Sequence, residues 1–404
     1  MRFLILTQYY PPEVGAAQVR LAAFARELRR AGHEVEVVTA LPNYPGGSLQ
    51  ASDRRRLSRR ETIDGIRVTR LWLLTATGVG LPRLVSYLSF TITGLLGAMR
   101  ARKPDVVFVE SPPLFLGLAG WIAARRFGAA LVLNISDLWP DSVRDMGVMR
   151  RGPWLGLGEW LERILYRRAA AVTAVTEGIR DRLITVKGVP APRVMYLPNG
   201  VDGLTFRPIE ASQHEEPPSR PIFIYIGNHG LAQGLDVVIN AAELAPEFDF
   251  VFVGDGSDKS RLQAETSRRE LRNVKFDPPV AAENVAALYA RAVAGVATLR
   301  RSPLMKGARP AKVVAIMACG RPVLYSGSGE GAKLVRTADA GIVVAPADPR
   351  ALAGAARAIV ADPARAAEMG ANGRRYVGKH LSWPVLVASW LRELDTAPSA
   401  KRRS

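Results

Sequence analysis

The chain of 404 residues contains one cysteine, Cys319, so no disulfide can form within it. Such sparse cysteine usage favours a reducing compartment, and the thiol falls at the end of a predicted helix, where packing is its simplest role. Long apolar runs are also missing. The longest, residues 84–99, is interrupted by serine and threonine and is shorter than the roughly 20 residues that span a bilayer. The first residues lack the length and cleavage site of a secretory signal, so we expect a cytoplasmic protein without a transmembrane helix.

Acidic residues are scarce, since 37 Asp and Glu stand against 55 Lys and Arg, which gives a formal net charge of +18. The resulting field attracts polyanions such as nucleic acid, anionic lipid or phosphorylated substrates. Neither zinc-ligand spacing nor an aromatic RNA-binding signature is present, so we expect no nucleic-acid partner. The arginine-rich residues 54–60 have no strand pattern and predict a solvated surface loop. Attraction to an acceptor phosphate or an anionic membrane surface is the alternative, and it places the protein on the inner face of the cytoplasmic membrane.

Short apolar runs alternate with helical patterns along almost the whole chain. Examples are FLIL, VEVVT, DVVFVE and ALVLNI in the first half and IFIYIG, FDFVFVG and PVLYS in the second. That alternation is typical of an α/β protein with parallel sheets and helical crossovers. We predict two Rossmann-like wound parallel-sheet domains, at residues 1–202 and 203–380, facing each other across a cleft. A C-terminal helix at 381–397 is expected to cross back to the first domain, and residues 398–404 to form a disordered basic tail.

A glycine follows the first predicted strand, in TQYYPPEVGAAQVR. Gly15 opens a helix that contains Ala16 and Gln18, and the early N–H groups of such a helix bind anions or an acceptor group. The alternative is that Gly15 only permits a tight turn. The loop is not a dinucleotide fingerprint, because the spacing G-x-G-x-x-G is absent.

Two acidic residues follow buried strands of the first predicted domain. Asp137, in NISDLWPDS, is the stronger functional candidate, with capping of the next turn as its alternative role. Glu110, in ESPPLFLG, is weaker, because a carboxylate at the end of a strand is often simply solvated. Since ligands of open wound sheets bind beyond the carboxyl ends of the strands, we expect both side chains to point toward the cleft.

Glycine-bearing loops also follow the strands of the second domain. YIGNHGLAQGLD contains Gly227, Asn228 and His229, and such a loop allows backbone to approach a phosphate closely. His229 is either a donor to a diphosphate or sugar, or incidental. FVGDGSDK forms a tight turn that, together with the later DPPV loop, frames a flat base. These two segments supply three further candidates: Asp255, Gly256 and Val280.

The segment KGARPAKVVAIMACGRPVLYSGSGE, residues 306–330, supplies the charge. Lys306, Arg309 and Lys312 lie within seven positions, near the start of a predicted helix whose dipole adds to their field. Three cations beside two glycine-bearing loops predict a diphosphate site, with a solvated basic face as the alternative. Glu330 is expected to cap a later helix and to be able to reach a sugar hydroxyl.

The order and spacing of these motifs resemble glycosyltransferase family 4, the retaining enzymes of the GT-B fold. The resemblance extends over nearly the whole chain and is greatest to the branch that transfers amino- or deoxy-sugars in O-antigen, capsule and colanic-acid assembly. It is carried by YYPPEVGAA, SPPLF, SDLWPDS, PNGVD, GLAQGLD, VGDG, DPPV, SPLMKGARPAK and AGIVVAPADPRALA.

The resemblance implies transfer of a sugar from a nucleotide diphosphate, usually UDP, to an acceptor hydroxyl, with retention of configuration. It implies no metal and no other cofactor, and a lipid-linked or glycan acceptor as partner. Residues 1–202 then form the acceptor-side domain and residues 203–380 the nucleotide-sugar domain. Fixed cations must stabilise the leaving diphosphate. We assign catalysis to Asp137, Lys306 and Arg309, the acceptor-side loop to Gly15, Ala16 and Gln18, and donor binding to Gly227, Asn228, His229, Asp255, Gly256, Val280, Lys312 and Glu330.

Two positions depart from the family pattern. Gln233 stands where many relatives carry a phosphate-binding lysine, and Ala315 stands where a glutamate usually holds the donor ribose. Losing that charge-assisted hydrogen bond weakens donor binding by about tenfold to a hundredfold. A nucleotide-binding or scaffold protein of the same fold with weak or no turnover is therefore the alternative function. A sugar-nucleotide epimerase of this fold is a third, disfavoured by the small number of histidines, four in the whole chain.

Overall fold

A computed structural model of the chain describes residues 1–13, 16–43, 47–76, 81–141, 153–209, 218–302 and 307–397. The described residues form two compact units. The first comprises residues 1–199 together with the chain from residue 383 onward, and the second comprises residues 200–382.

The first unit is a wound α/β unit. Its eight described strands form one sheet in the order β3-β4-β2-β1-β5-β6-β7-β8, parallel throughout except for the antiparallel pair β3 and β4. Its elements are β1 (Arg2–Leu6), α1 (Ala16–Arg30), β2 (Glu34–Ala40), β3 (Ser58–Ile63), β4 (Ile66–Leu71), α2 (Leu81–Met99), β5 (Val106–Ser111), α3 (Leu116–Phe127), β6 (Ala130–Ile135), α4 (Pro153–Arg168), β7 (Ala171–Ala174), α5 (Glu177–Thr185), β8 (Val194–Tyr196) and, at the end of the chain, α13 (Trp383–Thr396).

The C-terminal helix α13 completes the hydrophobic core of this first unit. Trp390 is fully buried, with its ring centroid 5.0 Å from that of Phe24 in α1 and 5.7 Å from that of Phe108 in β5. Its indole Nε1 donates to Oγ1 of Thr173 in β7 at 3.0 Å, so the polar tip of the buried ring is satisfied. One face of the sheet is therefore covered by helices from opposite ends of the sequence.

The second unit repeats the wound pattern. Six described strands, all parallel, form a sheet in the order β11-β10-β9-β12-β13-β14. Its elements are β9 (Ile222–Ile226), α6 (Asp236–Leu244), β10 (Asp249–Val253), α7 (Lys259–Arg268), β11 (Val274–Asp277), α8 (Ala282–Ala290), β12 (Ala294–Thr298), α9 (Ala311–Ala318), β13 (Val323–Ser326), α10 (Glu330–Thr337), β14 (Gly341–Val344), α11 (Pro349–Ala361) and α12 (Pro363–His380). The prediction of two α/β domains built on parallel sheets is confirmed.

Two further predictions concern the surface of the first unit. The arginine-rich segment is not entirely a loop, because Arg59 and Arg60 lie in β3, which pairs with β4 at the edge of the sheet. The strand was not predicted, because the residues that alternate between the two faces of β3 are polar on both faces except for Ile63. Within the described residues, no helix is long and apolar enough to cross a bilayer.

Candidate functional site

Lys312 is the best-defined cation of the second unit. It is the second residue of α9, and its ammonium donates to Oη of Tyr225 at 2.8 Å and to Oε1 of Gln233 at 2.8 Å. The ammonium also lies 4.4 Å from the centre of the Tyr225 ring, within cation–π range. No carboxylate of the described residues pairs with it. An ammonium that is held only by neutral groups has no carboxylate that an anionic ligand must displace.

Burial lowers the pKa of Lys312 to about 7, from an ordinary value near 10.5. An ammonium that leaves water loses hydration, and the neutral oxygens of Tyr225 and Gln233 replace only part of it. The Tyr225 hydroxyl, whose pKa burial raises, donates in turn to the carbonyl oxygen of Asn228 at 2.7 Å. Lys312 is thereby connected to the glycine loop that follows β9.

Two loops rich in glycine pack closely against each other beside Lys312. A side chain on Gly227 would lie 3.2 Å from Cε of Lys312, and one on Gly254 would lie 2.1 Å from the carbonyl oxygen of Gly227. Gly256 is similarly enclosed, since a Cβ there would meet the carbonyl oxygen of His229 at 2.5 Å. All three glycines have positive φ angles, of 141°, 142° and 159°. Side chains are therefore excluded from the place where the loops meet.

His229 is fully buried in this double loop. Its ring lies among those of Tyr225, Phe252 and Phe276, with centroid distances between 5.7 and 6.2 Å. Burial is the main cause that lowers its pKa, and the Lys259 ammonium adds to the effect. The ring does not reach the surface, and its described contacts hold the two loops together. Donation from His229 to a bound ligand stays a prediction.

The backbone of His229 ties the same loops together. Its N–H donates to the carbonyl of Asp255 at 2.8 Å, and its own carbonyl accepts from the N–H of Asp258 at 2.9 Å. The Asp255 carboxylate is exposed and accepts a local hydrogen bond from the N–H of Gly256 at 2.8 Å. Asn228 is exposed as well. Asn228 and the Asp255 carboxylate are therefore surface groups of these two loops.

The remaining second-unit candidates are spread around the same edge of the sheet. Arg309 is half-buried, directly before Pro310 at the start of α9, and Val280 is exposed in the loop that follows β11. Lys306 lies outside the described residues. Glu330 is the first residue of α10, so its carboxylate lies in the first turn of the helix, and Gly329 occupies the N-cap position. The starts of α9 and α10 adjoin, because a Cβ on Gly331 would lie 3.2 Å from Cδ of Pro310.

Ala315 lies one turn further along α9. Its side chain is partly buried and packs against a hydrophobic cluster that includes Val313 and Tyr325. The position carries no polar side-chain atom that could take over the function of a glutamate.

The first-unit candidates lie on a separate sheet. Gly15 is outside the described residues, Ala16 begins α1, and Gln18 is buried in the first turn of that helix. Asp137 lies just beyond the carboxyl end of β6, with its side chain exposed. Exposure leaves its carboxylate accessible to a ligand.

A buried polar network lies near these residues, and residue types alone do not predict it. Arg20 of α1 forms an ion pair with Glu110 at the end of β5 and donates to Oδ1 of Asn199 at 3.1 Å. The second carboxylate oxygen of Glu110 accepts from Nδ2 of Asn134 at 2.6 Å. Glu110 is thus a buried ion-pair partner, neither solvated nor free to act on a ligand. The network fixes the start of α1 against the carboxyl ends of β5 and β6.

The structure therefore brings together Gly227, Asn228, His229, Gly256 and Lys312, with Asp255 in the same turn. Tyr225 was missed, because a tyrosine within the strand IFIYI has the pattern of a core residue. Within the described ranges, no group of three or more histidine, cysteine, aspartate or glutamate side chains has the geometry of a metal site.

Two protein families match the chain one after the other. The family described as glycosyl transferase 4-like domain matches residues 15–200, and glycosyl transferases group 1 matches residues 206–376. The glycosyl transferase WcaI of Escherichia coli (strain K12), whose name refers to colanic acid biosynthesis, is 29% identical over 293 residues. That match covers 69% of this chain and 72% of WcaI.

Solved structures share the fold across the full length. The sucrose-phosphate synthase of Thermosynechococcus elongatus has a TM-score of 0.77 and 19% identity, covering 97% of this chain and 98% of its own. Anabaena HepE, solved in complex with UDP, has a TM-score of 0.73 and 18% identity, covering 98% and 100%. The fold is the GT-B arrangement of two parallel-sheet α/β domains, as the sequence predicted.

Proposed function

Because this chain belongs to the glycosyltransferases, as a GT-B protein that uses nucleotide sugars, we propose that it transfers an N-acetylated amino- or deoxy-sugar from UDP to a hydroxyl of a lipid-linked glycan. The transfer proceeds with retention and without a metal, in the biosynthesis of a cell-surface polysaccharide. Two relatives support the choice of donor and pathway. WcaI is named for colanic acid biosynthesis, and the structure of HepE was solved in complex with UDP. The protein works peripherally on the inner face of the cytoplasmic membrane.

The observation that carries the proposal is the environment of Lys312, a half-buried ammonium held by Tyr225 and Gln233 beside two glycine loops. When the bond to the sugar breaks, negative charge grows on the diphosphate. A cation already fixed in place stabilises that charge without reorganisation. Gln233, whose Oε1 accepts from the Lys312 ammonium, orients Lys312 for this role.

Other residues have supporting roles in the proposal. Lys306 and Arg309 add positive charge to the diphosphate, whereas Asn228, Asp255, Gly256 and Val280 line the donor loops of the second unit. On the first unit, Asp137 provides a carboxylate on the acceptor side, and the start of α1 binds the acceptor. Among these residues, Asn228, Asp255, Val280 and Asp137 are exposed.

The test is a transfer assay with purified protein, a panel of UDP- and GDP-sugars, and lipid-diphosphate-linked acceptors. We expect transfer from a UDP-sugar without added metal and in the presence of EDTA. Lys312→Gln should lower kcat/KM by about tenfold to a hundredfold, because one charge-assisted contact to the diphosphate is lost. The matched control is Lys275→Gln, which removes an exposed lysine that pairs with Asp249 on the same unit. Equal rates for both variants would refute the role of Lys312.

Ala315 favours one competing function, a nucleotide-binding protein with weak or no turnover. Calorimetry separates the two. UDP binding without transfer to any acceptor of the panel would support the competing function, whereas transfer at a rate that depends on Lys312 supports ours.

A further inference from the structure

Helix α2 of the first unit is apolar on two opposite faces. Its inner face packs on the sheet and includes the fully buried Phe90 and Ala98. The outer face carries five large apolar side chains at helical spacing, which we call the outer stripe: Val85 40% exposed, Leu88 41%, Ile92 63%, Leu96 51% and Met99 36%. Helices of soluble proteins normally present polar residues on the side turned away from the core. The outer stripe is therefore an apolar face without a covering partner among the described residues.

An arginine-lined groove begins where the outer stripe ends. It has a volume of about 420 Å³ and lies between the end of α2 and the edge strands β3 and β4. Its lining includes four arginines, together with Glu36 and Glu61: Arg60, Arg67, Arg100 and Arg102. Arg100 follows directly after Met99, the last residue of both α2 and the outer stripe, so the groove adjoins the end of the stripe.

The charges of this groove are only partly neutralised. Arg67 pairs with Glu36 at 3.6 Å, and Glu61 pairs with Arg59 and Arg70. Arg60, Arg100 and Arg102 are exposed and form no ion pair with a described carboxylate. Cations that are left unpaired beside an apolar stripe match a surface that offers both anionic groups and hydrocarbon.

We propose that the outer stripe and the arginine groove form one docking site for an anionic lipid surface, with phosphorylated headgroups in the groove and acyl chains against the stripe. This inference rests on the membrane-surface part of the proposed function and assigns it to specific residues. A second copy of the chain is the less suitable occupant, because a net charge of +18 on each copy opposes self-association at a basic surface.

The experiment is vesicle co-sedimentation with the full-length protein at low salt. Vesicles contain either phosphatidylcholine alone or phosphatidylcholine with 30% phosphatidylglycerol. We expect binding only to the anionic vesicles. Arg100→Gln combined with Arg102→Gln should weaken it by about 30-fold, the effect of two lost charges near the surface. Ile92→Asn combined with Leu96→Asn should weaken it by about tenfold or more, because two side chains no longer enter the hydrocarbon.

Matched controls lie at other exposed positions. Arg272→Gln removes an exposed arginine of the second unit, and Val186→Asn removes an apolar side chain that is 65% exposed in the first unit. Neither control should change vesicle binding. Melting temperatures of all variants show that the substitutions do not unfold the protein.

Several outcomes would overturn the inference. Vesicle binding that is equal for the wild type and both double variants would show that another surface docks. Millimolar glycerol phosphate that abolishes binding to the anionic vesicles would show a site for free phosphate esters only. A dimer in light scattering that disappears with the stripe variant would assign the stripe to self-association. Loss of transfer activity with intact vesicle binding would instead refute the proposed function alone.

Discussion

Raising the pH from 7 to 8 should weaken UDP binding by about fivefold, because Lys312 loses its proton over this range. With a pKa of about 7, its ammonium is half charged in the free protein at pH 7. At pH 8 only about one tenth is charged. The bound diphosphate favours the charged form of Lys312, so at higher pH UDP binding must be accompanied by protonation of Lys312. Neighbouring groups do not produce the effect, since burial keeps Tyr225 protonated and His229 neutral at these pH values.

Isothermal titration of UDP at pH 7, 7.5 and 8, in two buffers of different ionisation enthalpy, measures both affinity and proton uptake. We expect uptake of about half a proton at pH 7. Lys312→Arg is the matched control, because a guanidinium stays charged and should give a flat pH profile. The free energy of unfolding of the unliganded protein should instead rise with pH above 7, relative to that of Lys312→Arg. The reason is that Lys312, with its lowered pKa in the folded protein, binds fewer protons there than it does in the unfolded chain. A wild-type affinity that is constant between pH 7 and 8 would refute the reasoning.

Three substitutions give further tests. Ala315→Glu should tighten UDP binding by about tenfold to a hundredfold and leave pyrophosphate binding unchanged, because only UDP has a ribose; equal UDP affinity would contradict a missing ribose contact. Glu110→Ala should lower the free energy of unfolding by about 3–5 kcal/mol in urea titrations, since it leaves a buried arginine unpaired, and a loss below about 1 kcal/mol would speak against it. Gly254→Ala should abolish UDP binding, because its Cβ would lie 2.1 Å from the carbonyl oxygen of Gly227, whereas Gly354→Ala, which faces open space, should be silent.

The fold was predictable because parallel strands buried on both faces have a distinctive sequence pattern. Runs such as IFIYI and DFVFV are apolar almost throughout, and the intervening helical patterns leave few alternatives to a wound sheet. The edge strand β3 was not predicted, because it lacks this apolar pattern. Its residues, SRRETI, alternate between exposed and half-buried positions, but all of them except the final isoleucine are polar.

The candidate site was predictable only in part. Glycine loops and cations can be recognised by residue type, so the sequence predicted Lys312 and Gly227 as site residues. Tyr225 was not, because its hydroxyl binds an ammonium 87 positions away and such pairings depend on the packing of β9 against α9. Whether a side chain points to the surface or into the core could not be predicted from the sequence either. His229 and Glu110 have the residue types of reactive groups, but tertiary packing buries both of them.

The position of Trp390 has a consequence for the order in which the protein is made. The first 199 residues leave the ribosome long before α13 does, and until then the surface formed by Phe3, Phe24 and Phe108 has no cover. The described core clusters of the second unit consist of residues between 201 and 381, so this unit can complete its core before α13 is made. The unit encoded at the beginning of the gene is thus the last to be finished, and premature termination after residue 382 exposes the aromatic core of a domain whose own strands are all present.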